Sequence, residues 1–245
     1  MMEIIRAVKR FTQRHNPMNV VMARLLNHIN RREYAAPRFT KFNERSIEYR
    51  FVFEQISSLV PKDILDVGTG VTALPSLMAN CGCRVTAIDN IRDYWEANTV
   101  NRHYYVIDDD ITDSKITETF DLVTCVSTLE HIERFDRAVA SMFARTKPGG
   151  HVLLTFPYHE RRGVDHVYAL PGSEAKDVPR RYKTRAFSRE NIERWGSTHG
   201  AEVVKQEYWQ FFSGDYWTVG ERLPKPLQVS AAEKHQISCV LFRKK

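Results

Sequence analysis

The run Ile64-Leu65-Asp66-Val67-Gly68-Thr69-Gly70-Val71-Thr72-Ala73 constrains this chain more than any other feature. A short apolar stretch leads into two closely spaced glycines and then a helix start. Glycines suit a place where the chain turns sharply and where its backbone must lie close to a neighbour with no Cβ in between. From Asp63 onward the same rhythm repeats. Strand candidates at 64–67, 84–88, 104–107, 122–126 and 151–156 alternate with helical patterns, clearest at 73–80 and 135–146. That alternation predicts a doubly wound, mostly parallel α/β sheet, and 245 residues are enough for one such domain with decorations.

Taken alone, Gly68-x-Gly70-x-x-Ala73 satisfies the fingerprint of a dinucleotide site. Asp89 lies 21 residues after Gly68, at the end of the next strand candidate, where a carboxylate accepts both hydroxyls of a ribose. This spacing finds a nucleoside cofactor and leaves its chemistry open. Asp66 narrows the choice. An acid two residues before the first glycine repels a pyrophosphate but suits a ligand that carries an ammonium and a sulfonium. Asp109-Asp110-Ile111 follows the third strand candidate, where an aspartate and the next amide suit an adenine edge. Phe120-Asp121-Leu122-Val123 then leads to Ser127-Thr128-Leu129-Glu130-His131, and Lys147-Pro148-Gly149-Gly150 closes the series.

With these landmarks in order, the chain resembles the class I S-adenosylmethionine-dependent methyltransferases, in particular the small-molecule group with LDVGxG, FDLV, LEH and KPGG motifs. The resemblance covers residues 64–156 well and the last third loosely. It implies a Rossmann-like seven-stranded sheet with an antiparallel last strand, for which 238–242 is the candidate, and S-adenosylmethionine as cofactor. By this likeness Asp66, Gly68, Thr69 and Gly70 cradle the amino-acid end of the cofactor. Asp89 holds the ribose, Asp110 and Ile111 the adenine, and Ser127 the methionine portion. Thr72 stands where the family usually has a third glycine.

Methyl transfer from a sulfonium is an in-line displacement, and a base is needed only when the acceptor atom is a poor nucleophile such as a hydroxyl. His131, His159 and His166 are the catalytic candidates, since all three follow strands at the sheet edge where α/β folds bind ligands. The plain alternative for each is an ordinary loop or helix-start histidine. Some relatives, quinone-biosynthesis O-methyltransferases and RNA 2′-O-methyltransferases, carry an E-x-x-E-H metal motif. Here Ser127 replaces the first glutamate, and a hard cation binds poorly without it, so no metal is expected. Arg180, Arg181 and Tyr182, in a cluster continued by Lys183 and Arg185, are the substrate candidates. They favour a polar acceptor such as a sugar, nucleotide sugar or glycan end. The alternatives are a quinone or lipid, an RNA end, or a catalytically silent partner protein of the same fold.

Residues 1–60 are expected to form a helical extension or lid, and 61–245 the cofactor-binding domain with a substrate cap at about 158–187. The net charge of +6 is an N-terminal property. Residues 1–50 hold 11 Lys/Arg against 4 Asp/Glu, and the rest 25 against 26. A whole-surface nucleic-acid footprint is therefore not implied. A basic amphipathic pattern begins at Ile4, and a second helix follows Asn16-Pro17, with Met18, Val21, Met22, Leu25, Leu26 and Ile29 on one face. It suits a lid, a peripheral membrane contact, or plain packing on the domain. No apolar run spans a bilayer and the opening residues lack a secretory core. The four cysteines fit reduced thiols and a cytoplasmic protein. The sequence sets no oligomeric state.

Overall fold

The computed structural model describes residues 17–35, 42–97, 99–176 and 182–245. The chain divides into two units, 1–45 and 46–245. In the first, helix α1 spans Pro17–Ala35, opening on the proline expected at its start. Its Met18, Val21, Met22, Leu25 and Leu26 side chains are exposed. The pattern that begins at Ile4 lies outside the described residues.

The second unit is built on an eight-stranded sheet. In chain order it contains α2 (Arg45–Leu59), β1 (Asp63–Val67), α3 (Leu74–Asn80), β2 (Arg84–Asp89), α4 (Ile91–Tyr94), β3 (Ile107–Asp108), β4 (Phe120–Val126), α5 (Phe135–Ala144) and β5 (Thr146–Pro157). Then come α6 (Arg189–Thr198), β6 (Ala201–Phe212), β7 (Arg222–Val229) and β8 (Ile237–Lys244). The spatial order is β3-β2-β1-β4-β5-β8-β6-β7. Strands β1 to β5 pair in parallel, and β8 runs antiparallel between β5 and β6. This is the Rossmann-like doubly wound sheet that the alternating pattern predicts, with one strand more than the seven expected. The extra strand is β7, which among the described residues pairs with β6 alone. Its Pro224 and Pro226 lie two residues apart, so their missing N–H groups fall on one side of the strand, which an edge position tolerates.

Alternation along each strand feeds two cores. On one face Val123, Cys125, Val152 and Leu154 meet Val139, Met142 and Phe143 of α5 and Ile192 and Trp195 of α6. On the other, Ile64, Leu122 and Leu153 meet Phe51, Val52 and Ile56 of α2 and Leu74 and Met78 of α3. Helix α2, assigned to the N-terminal extension by the sequence pattern, is thus part of the sheet domain's own core. Each fully buried Leu, Ile or Phe here contributes about 1.5–3 kcal/mol of burial energy.

Two of the sequence landmarks brace the edge opposite the strands' carboxyl ends. Lys147 Nζ reaches Asp121 Oδ1 at 2.7 Å and Asp63 Oδ2 at 3.1 Å. Asp121 Oδ2 accepts the amides of Lys62 and Asp63. Lys147-Pro148-Gly149-Gly150 lies inside β5, at a shift of register against β4. Gly149 has φ +75° there, and a Cβ on Gly150 would stand 3.0 Å from the Asp121 carbonyl.

Candidate cofactor and acceptor site

Because β1 to β5 are parallel, Gly68, Asp89, Asp109, Ser127 and Tyr158 all fall at one edge of the sheet. Short backbone bonds lock these strand ends together: Gly68 N–H to the Ile88 carbonyl at 2.9 Å, Asp109 N–H to Asp89 at 3.0 Å and Ser127 N–H to Thr155 at 3.0 Å. The edge lies on the carboxyl side of the sheet, the usual ligand side of an open α/β fold.

The glycine loop owes its shape to its neighbours. Gly68 has φ +71°, and an added Cβ would lie 2.0 Å from the Thr128 methyl. Gly70 has φ +56° as well, but a Cβ there would meet nothing within 4 Å. Its amide donates to Asp89 Oδ2 at 2.7 Å. The loop is thus packed shut at Gly68 and open at Gly70. Beneath it Asp66 is buried, accepting the Thr69 hydroxyl and, at 2.7 Å, the Thr124 hydroxyl. Burial pushes the Asp89 carboxyl up, opposed by the Gly70 amide and the Trp95 side chain. Burial also pushes the Cys125 thiol well up, and the carboxylates of Glu130, Asp66 and Asp89 add to it. Three acids, Glu130, Asp66 and Asp89, thus lie just under this edge.

Asp110 caps the short 3-10 turn Ile111–Asp113, accepting the Thr112 amide at 2.8 Å and hydroxyl at 2.9 Å. Ile111 is buried in the core. Ser127 sits in the left-handed region at φ +48°, a conformation that costs a non-glycine residue energy and clusters at functional sites. Its hydroxyl donates to Glu130 Oε1 at 3.1 Å. Its amide also donates to Thr155 Oγ1 at 3.0 Å, and that hydroxyl donates onward to Glu48 Oε1 at 2.6 Å. Glu48 is fully buried on α2. The sequence reading passed over it, although it shares the apolar face of Phe51, Val52 and Gln55.

Among the three histidines, His131 differs from the other two in the role of Nδ1. His159 Nδ1 accepts the amides of Arg161 at 3.3 Å and Arg162 at 3.1 Å, and burial holds the ring below the usual imidazole value. His166 Nδ1 accepts the Thr184 amide at 3.2 Å. His131 Nδ1 instead faces a carbonyl, Lys183 O at 3.0 Å, so it must donate and Nε2 becomes the basic nitrogen. Tyr182 packs on the same ring with centroids 4.1 Å apart. The return of the cap is laced to this point, with Arg185 N–H on the Glu130 carbonyl at 3.1 Å and Phe187 N–H on Pro157 at 2.9 Å. Arg180 and Arg181 lie outside the described residues. Lys183 and Arg185 are committed elsewhere. Both pair with Asp165, and the buried Arg185 also holds Glu133 and the Ile132 carbonyl. Among the described residues no group of three His, Cys, Asp or Glu side chains is placed to hold a metal ion.

A parallel α/β sheet with this strand order, an open glycine turn and a carboxylate at the end of β2 defines a nucleoside-cofactor fold. Residues 22–206 match the family model described as a methyltransferase domain. Similar curated proteins are ubiquinone biosynthesis O-methyltransferases. That of Coxiella burnetii (strain RSA 493 / Nine Mile phase I) is 30% identical over 135 residues, 52% of this chain and 56% of the relative. That of Vibrio parahaemolyticus is 31% identical over 137 residues, 52% of this chain and 57% of the relative. The chain spans about half the length of these relatives. Among solved structures, coclaurine N-methyltransferase with S-adenosylhomocysteine superposes with a TM-score of 0.55 at 15% identity, covering 84% of this chain and 75% of that one. NodS from Bradyrhizobium japonicum WM9 with the same ligand gives 0.51 at 19% identity, covering 82% and 87%. The chain belongs to the class I S-adenosylmethionine-dependent methyltransferase family, and S-adenosylmethionine is its cofactor. No helix among the described residues is long and apolar enough to cross a membrane.

Proposed function

We propose that this chain is an O-methyltransferase acting on a small molecule with a phenol-like hydroxyl, and that His131 takes the proton. The observation that carries the reading is the 3.0 Å contact of His131 Nδ1 with the Lys183 carbonyl, which Nδ1 meets as a donor, leaving Nε2 as the nitrogen to take a proton. A hydroxyl acceptor needs such a base as it attacks; a neutral amine already carries a nucleophilic lone pair and does not. Glu130, buried behind Ser127, favours the imidazolium that forms. The relatives named as ubiquinone biosynthesis O-methyltransferases support a quinol-like acceptor. So do the rings at this edge, where Tyr182 packs on His131 and Tyr216 stacks on His159. A sugar or nucleotide-sugar acceptor rests on Arg180 and Arg181 and enters as the competing arm of the same test.

S-adenosylmethionine supplies an activated methyl group on a cationic sulfur. The residues present fit it. Gly70 leaves room beside its backbone, Asp89 ends β2 where a ribose is held, and the acids beneath the loop suit an ammonium and a sulfonium. In this reading Asp66 acts through charge and by tying down Thr69, while Gly68 and Gly70 hold the loop's shape. Asp110 and the Ile111 amide border the base, and Ser127 borders the methionine portion. The deciding experiment incubates the purified protein with labelled S-adenosylmethionine and panels of catechols, quinols, sugars and amines. Mass spectrometry is expected to find O-methylated phenols. Label on nitrogen alone, or on sugars alone, would overturn the reading.

A further inference from the structure

One side chain of the connection between β2 and β3 reaches back to the glycine turn. Asn101 Nδ2 donates to the Gly70 carbonyl and to the Thr72 carbonyl, each at 2.9 Å. Its Oδ1 accepts the His103 amide at 2.8 Å and the Tyr104 amide at 3.0 Å. Both N–H groups and both lone pairs of the amide are thus spent on backbone. The Tyr104 hydroxyl donates to the Val85 carbonyl of β2 at 2.8 Å, which anchors this segment to the sheet.

Gly70 has need of an outside hold. Its φ is +56°, and no atom lies within 4 Å of the place a Cβ would take, so side-chain packing does not fix it. Glycine visits both signs of φ and loses the most backbone freedom when it is fixed. Here hydrogen bonds do the fixing. Asp89 Oδ2 takes the Gly70 amide at 2.7 Å, and Asn101 takes the Gly70 carbonyl. Asp89 shares its carboxylate with the ribose in the cofactor reading, whereas Asn101 bonds to the turn without that competition.

We propose that Asn101 is a positioning residue of the cofactor site, holding Gly70 and Thr72 in the shape that receives S-adenosylmethionine. The inference rests on the cofactor reading given above and adds to it a residue from outside the glycine motif. A turn held in advance loses little conformational freedom on binding, which raises affinity. Once the cofactor is bound it braces the turn as well, so the clamp acts on affinity and not on the methyl-transfer step.

The test compares the wild type with Asn101→Asp and Asn101→Ala, using S-adenosylhomocysteine calorimetry, thermal melts and steady-state kinetics. Asn101→Asp keeps the acceptor for the His103 and Tyr104 amides but turns an oxygen towards the Gly70 and Thr72 carbonyls. Both variants are expected to bind S-adenosylhomocysteine roughly 5- to 50-fold more weakly, from two lost hydrogen bonds. The KM of S-adenosylmethionine should rise in step, with kcat at saturation and the acceptor KM within about twofold of wild type. Asn101→Asp binding as tightly as wild type would overturn the clamp, and if Asn101→Ala alone were weak it would assign the effect to the 103–104 turn. A matching fall in kcat, or variants that do not fold, would equally overturn it by making Asn101 a general support of the fold. These outcomes leave the cofactor reading intact; failure of the wild type to bind would overturn both.

Discussion

The Thr128 hydroxyl donates to the Gly68 carbonyl at 3.0 Å, and its methyl fills the place that a Cβ on Gly68 would need. The two glycines of the loop are therefore required for different reasons. Gly68→Ala is expected to lower stability by roughly 2–5 kcal/mol, from the clash added to a left-handed backbone. Gly70→Ala meets no protein atom and should cost about 1–2 kcal/mol in backbone strain alone. It should nevertheless weaken S-adenosylhomocysteine binding strongly, since its methyl points into the open cradle. Thermal melts alongside calorimetry separate the two. A Gly70→Ala variant that binds normally would place the ligand elsewhere.

Asp89 makes cofactor binding pH-dependent. Its carboxyl is pushed above the ordinary aspartate value of 3.8, chiefly by burial. The folded state then holds this proton more tightly than the unfolded state, so Asp89 contributes most stability at low pH. That contribution is lost as pH rises through the window above 3.8. Ribose binding needs the ionised form, so affinity should run the other way, rising with pH across the same window. Calorimetric titrations of S-adenosylhomocysteine should show this rise in the wild type. Asp89→Asn should bind at least about tenfold more weakly at pH 7 and with no slope in that window.

Much of this was legible in the sequence because it was written in periodicity and in glycine. The strand at 64–67, the glycine turn and Asp89 fall where the pattern places them. What escaped it was tertiary. Strand β7 carries two prolines, which read as loop until an edge position makes them harmless. Glu48 carries no motif of its own, and only its shared face with Phe51 and Val52 points to its burial. Arg185 looked available to a substrate, yet its partners Asp165 and Glu133 lie 20 and 52 residues away in the chain. Histidine tautomers depend on which carbonyl or amide the fold brings up, which no local pattern records.

Those tautomers predict unequal roles. His131→Ala should lower kcat about 10²- to 10⁴-fold on a hydroxyl acceptor, with S-adenosylhomocysteine affinity nearly unchanged. His159→Asn retains an acceptor for the Arg161 and Arg162 amides and should leave kcat close to wild type. Steady-state kinetics on the acceptor found above would check this. Equal losses in the two variants would remove the tautomer argument.

The basic cluster of the cap should divide in two under mutation. Arg185 is buried, and its guanidinium holds Asp165, Glu133 and the Ile132 carbonyl together. Both carboxylate partners are largely exposed, which screens the pairs, so Arg185→Ala should cost about 1–2 kcal/mol and show as a lower Tm. Because the same stretch carries the Lys183 carbonyl that orients His131, kcat should fall with it. Arg180→Ala with Arg181→Ala should behave differently. If these two meet the acceptor, Tm and S-adenosylhomocysteine affinity stay unchanged while the KM of an anionic acceptor rises and that of a neutral phenol does not. A double variant with unaltered KM for every acceptor would show that the two arginines are merely solvated. The case for a sugar or nucleotide-sugar substrate would then have no residue left to rest on.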